Sequence, residues 1–150
     1  PTLDNIARFC LANGHHLNIE IKPTPGADAL TGNTVARAAA RLWPDGVVPP
    51  LLTSFSVEAL EAAQSGAPAL PRGLLLDSMR ADWLATASRL QCVAVVCQHG
   101  LWDAATVLAA HGAGLRCLSY TVNDEWAAQR LQGLGTDGII TDRVDLFAPC

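Results

Sequence analysis

The stretch HHLNIEIKPTPG, His15–Gly26, places an amide, a carboxylate and an ammonium at alternate positions. In a β-strand, alternate side chains lie on one face, so Asn18, Glu20 and Lys22 share a face opposite the apolar residues between them. A buried row of this kind is costly unless its charges are paired, hydrogen-bonded, or bound to a metal or a substrate. The row is therefore either the hydrated face of an amphipathic edge strand or a site for a cation and an anion.

Short runs rich in β-branched residues or leucine predict six strands. These runs are His16–Lys22, Leu51–Phe55, Gly73–Asp77, Cys92–Cys97, Leu115–Val122 and Gly138–Thr141. Segments of helical pattern precede and separate them: Thr2–Ala12, Thr34–Trp43, Ser56–Gln64, Arg80–Leu90, Trp102–His111 and Asp124–Leu131. Asn13-Gly14, Gly112 and Gly133 are the predicted stop signals. A strand followed by a helix, repeated without hairpin signals, predicts parallel strands joined by right-handed crossovers.

Two architectures fit six such units: a complete doubly wound sheet, or part of a (β/α)8 TIM barrel, which typically needs ~250 residues. The phosphate-binding glycine pattern of the doubly wound option is absent, since Gly112-Ala113-Gly114 follows a helix and precedes a strand. The chain also opens on a helix, as if a strand preceded it. We therefore expect a barrel without its first two strands.

Function gathers at the carboxyl ends of parallel strands in either fold. The polar residues predicted there are Glu20, Lys22, Ser54, Asp77, Gln98, His99, Asn123 and Asp142. His15, His16 and His111 are predicted at the opposite ends of the strands, and we interpret them as structural or solvent-exposed.

Composition excludes several classes of function. Of 150 residues, 50% are hydrophobic and 16% charged, and the net charge of −4 argues against a nucleic-acid binder. The basic residues are scattered, and no apolar stretch reaches the ~18 residues that cross a bilayer. Five cysteines without a CxxC pair are typical of free, mostly buried thiols in a reducing cytoplasm.

Six segments carry a family resemblance. They are PTLDNIARFC, LNIEIKP, LLTSFSVEALEAA, LPRGLLLD, SYTVND and GTDGIITDRVDL, in this order along the chain. Together they resemble the C-terminal two-thirds of bacterial glycerophosphodiester phosphodiesterases, of the cytoplasmic kind associated with glycerol 3-phosphate uptake. That family is a (β/α)8 barrel that hydrolyses glycerophosphodiesters to glycerol 3-phosphate and an alcohol, usually with a divalent cation.

The resemblance implies roles for five residues. Glu20 is implied as a metal ligand for Mg²⁺ or Ca²⁺, and Lys22 as a neighbour of the substrate phosphate. Phe55 and Tyr120 are implied as parts of the pocket wall, and Asn123 as a supporting residue behind the ligands. A hard cation prefers oxygen ligands, and a cation together with a lysine stabilises the charge that develops on a phosphodiester.

The departure from the family pattern is large. Its histidine-arginine-glycine motif, two further acidic ligands and second catalytic histidine belong to the first two strands and an insertion, which this sequence lacks. We therefore assign no general acid or base to residues present here, and expect the chain alone to be inactive. His99 is interpreted as a loop or supporting residue, and Asp77 and Asp142 as helix caps or rim charges.

Two alternatives remain open. One is a non-catalytic barrel remnant that binds a partner or completes its sheet as a homo-oligomer, because open sheet edges favour pairing. The other, ranked last, is a barrel lyase with Lys22 as a Schiff-base nucleophile, although an adjacent carboxylate favours the protonated amine. No nucleic-acid or membrane partner is expected.

Overall fold

The computed structural model describes residues 1–147, so Cys150 lies outside the described residues. All six predicted strands are present: β1 (Asn18–Glu20), β2 (Leu51–Ser54), β3 (Arg72–Leu76), β4 (Ala94–Gln98), β5 (Arg116–Tyr120) and β6 (Gly138–Ile139). The helices are α1 (Leu3–Asn13), α2 (Asp28–Leu42), α3 (Val57–Gly66), α4 (Trp83–Arg89), α5 (Ala104–Gly112) and α6 (Glu125–Leu134). A short 3₁₀ turn, His99–Leu101, follows β4.

The strands lie in chain order in one sheet, from β1 to β6. The pairs β1/β2, β4/β5 and β5/β6 are parallel. A doubly wound sheet reverses its strand order at a switch point, and no reversal occurs among the described strands. This order confirms the predicted α/β class with parallel strands and favours the singly wound arrangement of a barrel.

The chain divides into two compact units, Pro1–Gly73 and Leu74–Cys150. The first unit has a core of small and branched residues beneath α2 and α3: Ile21, Ala36, Ala39, Leu52, Ala59, Ala63, Ala67 and Leu70. Gly32 of α2 lies so close to α3 that a Cβ atom there would stand 2.1 Å from the Ala59 carbonyl oxygen. Only glycine at this position permits the two helices to pack at this distance.

The second unit is built around leucine, valine and tryptophan. Trp83 and Trp102 meet edge to face, with ring centroids 6.4 Å apart and planes at 88°. The Trp102 Nε1–H donates to the Leu118 carbonyl oxygen at 3.0 Å, so this buried ring retains a partner for its polar atom. Trp126 of α6 is 70% exposed, whereas Trp43 in the first unit is buried.

Helix boundaries agree with the sequence where a capping side chain marks them. Thr2 and Ser56 accept N–H bonds at the starts of α1 and α3, and Asp124 does so at α6. The predicted stop of α6 at Gly133 is wrong: the helix continues to Leu134, and Gly135 is the left-handed cap at φ 80°. Glycine is needed where the backbone turns left-handed, and Gly133 is an ordinary helical residue.

Helix α2 begins six residues before the predicted Thr34, at Asp28. The predicted helix did not include Gly32, which lies within α2 and is buried against α3. Cys10, Cys92, Cys97 and Cys117 are buried thiols outside any disulfide, as predicted. Among residues 1–147, no helix combines the length and the hydrophobicity required to traverse a bilayer.

Candidate active site

The carboxyl end of β1 presents the polar row to solvent. Glu20 is the last residue of β1, and its Oε1 lies 3.5 Å from Lys22 Nζ, with the two side chains 40% and 80% exposed. Asn18, on the same face of the strand, accepts a bond from the Thr53 hydroxyl at 3.0 Å. The charges are hydrated rather than buried, so their pairing contributes little to stability and leaves both free to meet a ligand.

Ser54 fixes the end of β2 against the residue that follows Glu20. Its buried hydroxyl donates to the Ile21 carbonyl oxygen at 2.6 Å and accepts the Ser56 N–H at 3.1 Å. Because Ile21 is buried between Glu20 and Lys22, this bond holds the backbone from which both charged side chains project.

Ser56 connects the first turns of α2 and α3. Its hydroxyl accepts the Ala59 N–H at 3.1 Å, which caps α3, and donates to Asp28 Oδ1 at 2.6 Å. Ser56 is recognisable as a cap from the sequence, whereas its partner Asp28 is not, because the two are 28 positions apart and no local pattern joins them.

A cavity of about 320 Å³ opens at these strand ends. It is lined by Glu20, Ile21, Lys22, Pro23, Ser54, Phe55 and Ser56. The Phe55 side chain is partly exposed, which allows it to serve as an apolar wall beside the charged pair. Three residues whose site roles the family resemblance implies, Glu20, Lys22 and Phe55, are thus brought together in the first unit.

Tyr120 and Asn123 belong to the second unit. Tyr120 is the last residue of β5, and Leu76 is the last residue of β3. The Tyr120 hydroxyl donates to the Leu76 carbonyl oxygen at 2.8 Å. Its ring is therefore fixed at the carboxyl ends of the strands, the position expected for a pocket wall.

Asn123 connects the loops that follow β5 and β6. Its Oδ1 accepts the Asp142 N–H at 3.0 Å and the Thr141 hydroxyl at 3.2 Å, and its Nδ2 donates to Asp142 Oδ2 at 3.2 Å. Both ends of the amide are occupied, so Asn123 acts on the loops, as a supporting residue would. Asp142 is a loop charge in this arrangement.

Arg130 of α6 donates hydrogen bonds to the backbone of the loop that follows β4. Its guanidinium donates to the carbonyl oxygens of His99 and Trp102. The Gln98 side chain accepts the Gly100 N–H at 2.8 Å, which completes the turn. Within residues 1–147, His99 Nδ1 is buried without a hydrogen-bond partner, and the interpretation of His99 as a loop or supporting residue stays a prediction.

The histidines predicted at the opposite ends of the strands are exposed. His111 also has a partner that the sequence analysis missed: its Nε2 lies 2.9 Å from Asp137 Oδ2. Asp77 is exposed and accepts a bond from the Ser78 hydroxyl at 3.1 Å, which makes it a rim charge rather than a helix cap.

The described residues supply only part of a cation site at Glu20. A hard dication takes several oxygen ligands, and Glu20 is not part of any group of three candidate ligands found in residues 1–147. The lyase interpretation also lacks support: Lys22 is highly exposed and beside a carboxylate, whereas a nucleophilic lysine needs desolvation or a cationic neighbour.

A parallel sheet whose strands follow chain order, with charged groups at its carboxyl edge, is typical of α/β barrel proteins. The chain belongs to the glycerophosphoryl diester phosphodiesterase family, whose model matches residues 1–146. Comparison with curated protein sequences gives no match.

Solved structures of this family resemble the chain closely. An Oleispira antarctica phosphodiesterase, in complex with the product sn-glycerol-3-phosphate, is 28% identical with a TM-score of 0.87, over 95% of this chain and 57% of that one. A glycerophosphodiester phosphodiesterase from Agrobacterium tumefaciens is 25% identical with a TM-score of 0.75, over 99% and 61%. One from Parabacteroides distasonis, 16% identical with a TM-score of 0.76 over 95% and 60%, supports the fold alone. The chain thus spans little more than half the length of these proteins.

Proposed function

We propose that the protein carrying this chain hydrolyses glycerophosphodiesters to glycerol 3-phosphate and an alcohol. The observation that carries the proposal is the cavity in which Glu20 and Lys22 stand 3.5 Å apart, exposed, at a strand end of a member of this family. The product complex of the Oleispira neighbour supports the same small-molecule substrate class.

In this proposal Lys22 binds the phosphodiester and Glu20 supplies one carboxylate ligand for a divalent cation, Mg²⁺ or Ca²⁺. The donor set fits such an ion in part, because Glu20 is a hard oxygen donor on a strand end and is open to the cavity. When bound, the cation would stabilise charge on the non-bridging phosphate oxygens. Phe55 and Tyr120 shape the walls, and Asn123 orients the loops.

The six strands are assigned to strands 3–8 of the (β/α)8 barrel, within one domain that covers residues 1–150. The missing acidic ligands and the histidines for proton transfer would come from strands 1 and 2 and the insertion. Glu20 is assigned to the cation in this proposal, so we assign no general acid or base among residues 1–147. A cytoplasmic location and a role in glycerol and lipid metabolism complete the proposal.

The test is Glu20→Gln in the full-length protein, assayed by glycerol 3-phosphate release from glycerophosphocholine with Mg²⁺ or Ca²⁺. We expect turnover to fall at least about 100-fold, because the charge stabilisation that a cation supplies is worth several kcal/mol. Cation binding, measured by titration calorimetry, should weaken as well.

Glu125→Gln is the matched control, since it removes the charge of an exposed glutamate at the start of α6 and should leave turnover unchanged. Circular dichroism should show the same fold for both variants. Unchanged turnover and unchanged cation affinity in Glu20→Gln would remove Glu20 from the site. A full-length wild type without diesterase activity would favour the non-catalytic remnant.

A further inference from the structure

A second cluster of chemically reactive side chains lies at the opposite ends of the strands from Tyr120 and Asn123. It consists of His111 in the last turn of α5, Cys117 near the start of β5, and Asp137 directly before β6. Each residue offers one possible ligand atom: an imidazole nitrogen, the Sγ and a carboxylate oxygen, respectively. These three atoms lie within 4.8 Å of one another.

We propose that His111, Cys117 and Asp137 form a binding site for a borderline-soft dication of the zinc class. Imidazole nitrogen, thiolate sulfur and carboxylate oxygen are the ligands of Zn²⁺, and three protein ligands leave the fourth position to water. Its nitrogen and sulfur donors differ from the carboxylate proposed at Glu20, whose oxygens suit Mg²⁺ or Ca²⁺.

The three ligand atoms lie within 4.8 Å of one another and must adjust to reach the spacing of a tetrahedral site. Zinc bond lengths of about 2.0–2.3 Å place ligand atoms roughly 3.4–3.6 Å apart. The His111 nitrogen and the Asp137 oxygen are now 2.9 Å apart and share a hydrogen bond. Inserting the ion requires this pair to open by about half an ångström, which the partly exposed His111 ring on the last turn of α5 can accommodate.

Asp137 is already oriented by outer partners of the kind that metal-binding carboxylates require. Arg116 donates to its Oδ1 at 2.8 Å, and the Cys117 N–H donates to its Oδ2 at 2.7 Å. The Asp137 N–H in turn donates to the Cys117 carbonyl oxygen at 2.8 Å, so the backbones of both residues are fixed together. Arg116 occupies only Oδ1, and Oδ2 faces the other two ligands.

The thiol must lose its proton to solvent when the ion binds. Burial, followed by the nearby Asp137 carboxylate, raises the pKa of Cys117 to about 12, so the thiol stays protonated without a cation. A coordinating dication deprotonates a thiol outright, which makes Cys117 a ligand only in the loaded state. The alternative, an ion-pair network that binds no metal, gives a different result in each measurement below.

The experiment uses the full-length protein, reduced and stripped of metal, and titrates it with Co²⁺ and then Zn²⁺. We expect one Co²⁺ per chain to produce a thiolate-to-metal charge-transfer band in the near ultraviolet, and Zn²⁺ to displace it. Cys117→Ala should abolish the band, and Arg116→Gln should weaken binding about tenfold as an outer-partner variant. Cys97→Ala, another buried strand cysteine, is the matched control and should keep the band.

His111→Gln is a second ligand variant for the case in which Cys117→Ala does not fold, because His111 is exposed and its replacement should not disturb the core. It should weaken Co²⁺ binding at least about 100-fold, which is more than the loss of affinity typical when an outer partner is removed. A wild type without the band, or a band unchanged in both ligand variants, would overturn the site. Diesterase activity with Mg²⁺ should be unaffected by His111→Gln. Failure of this proposal is thereby distinguishable from failure of the proposed function.

Discussion

Gly32→Ala should destabilise the protein, even though alanine is the better helix former. A Cβ at Gly32 would lie 2.1 Å from the Ala59 carbonyl oxygen and 2.9 Å from the Ala59 Cα, where real Cβ contacts essentially never fall below 3.0 Å. Helices α2 and α3 would have to separate by almost 1 Å, and the neighbouring atoms are backbone that cannot rotate away.

The magnitude follows from two opposed effects. Overpacking a core typically costs about 1–3 kcal/mol, and replacing glycine by alanine in a helix interior returns about 1 kcal/mol. Because this clash involves backbone at 2.1 Å, we expect the upper part of that range and a net loss of roughly 1–2 kcal/mol.

The control is Gly133→Ala in α6, where a new Cβ would meet nothing within 4 Å. The same chemical change should there raise stability by about 0.5–1 kcal/mol. Urea denaturation of the full-length protein, followed by circular dichroism, compares the two midpoints at constant m-value. If Gly32→Ala proves at least as stable as the wild type, the described packing of α2 on α3 is wrong.

Three further predictions concern the charge of Lys22, the ion pairs of Asp137 and the activity of the 150-residue chain alone. Lys22→Met should reduce turnover more than it reduces cation affinity, and borohydride with a carbonyl substrate should not label wild-type Lys22; specific labelling there would favour the lyase. Burial opposes ionisation of Asp137, but hydrogen bonds from the Cys117 N–H, Arg116 and His111 outweigh burial and lower the pKa of Asp137 below the usual 3.8. The ionised carboxylate therefore stabilises the fold at higher pH, and this stabilisation is lost in acid. Metal-free Asp137→Asn should accordingly unfold at lower urea than the wild type at pH 7, and the difference should shrink below about pH 3.8; a constant difference would exclude the ion pairs as its cause. The 150-residue chain alone should release no glycerol 3-phosphate, because the general acid and base that each contribute roughly 10²–10⁴-fold are absent, and robust turnover would make His99 the first residue to mutate.

Features set by neighbouring residues could be predicted from the sequence. The period of two around Glu20 predicted the shared face of the row. The predicted helical segments that began at Thr2, Ser56 and Asp124 start at residues that the structure shows to be caps. Gly32 shows the limit: its local meaning is a helix breaker, and only the proximity of Ala59 explains its place within α2.

The candidate sites likewise combine residues that are close in sequence, which could be predicted, with residues that are distant in sequence, which could not. The spacing of Glu20 and Lys22 placed them on one face at a strand end, and the family resemblance implied their site roles. The Asp28–Ser56 bond and the His111–Asp137 pair join residues 28 and 26 positions apart, and they depend on which strands lie side by side. No pattern along the chain contains that information before the sheet order is known.

The distribution of the tryptophans makes the two units optically distinguishable. Trp43 is the buried indole of the first unit, while Trp83 and Trp102 form the edge-to-face pair of the second. A coupled pair of indoles gives near-ultraviolet circular dichroism that a single buried ring does not match, and iodide should quench the exposed Trp126 selectively. In a variant that keeps only Trp43, fluorescence follows unfolding of the first unit. In the wild type, the near-ultraviolet dichroism of the Trp83–Trp102 pair follows unfolding of the second unit. Comparing the two transitions shows whether the units unfold together or one after the other.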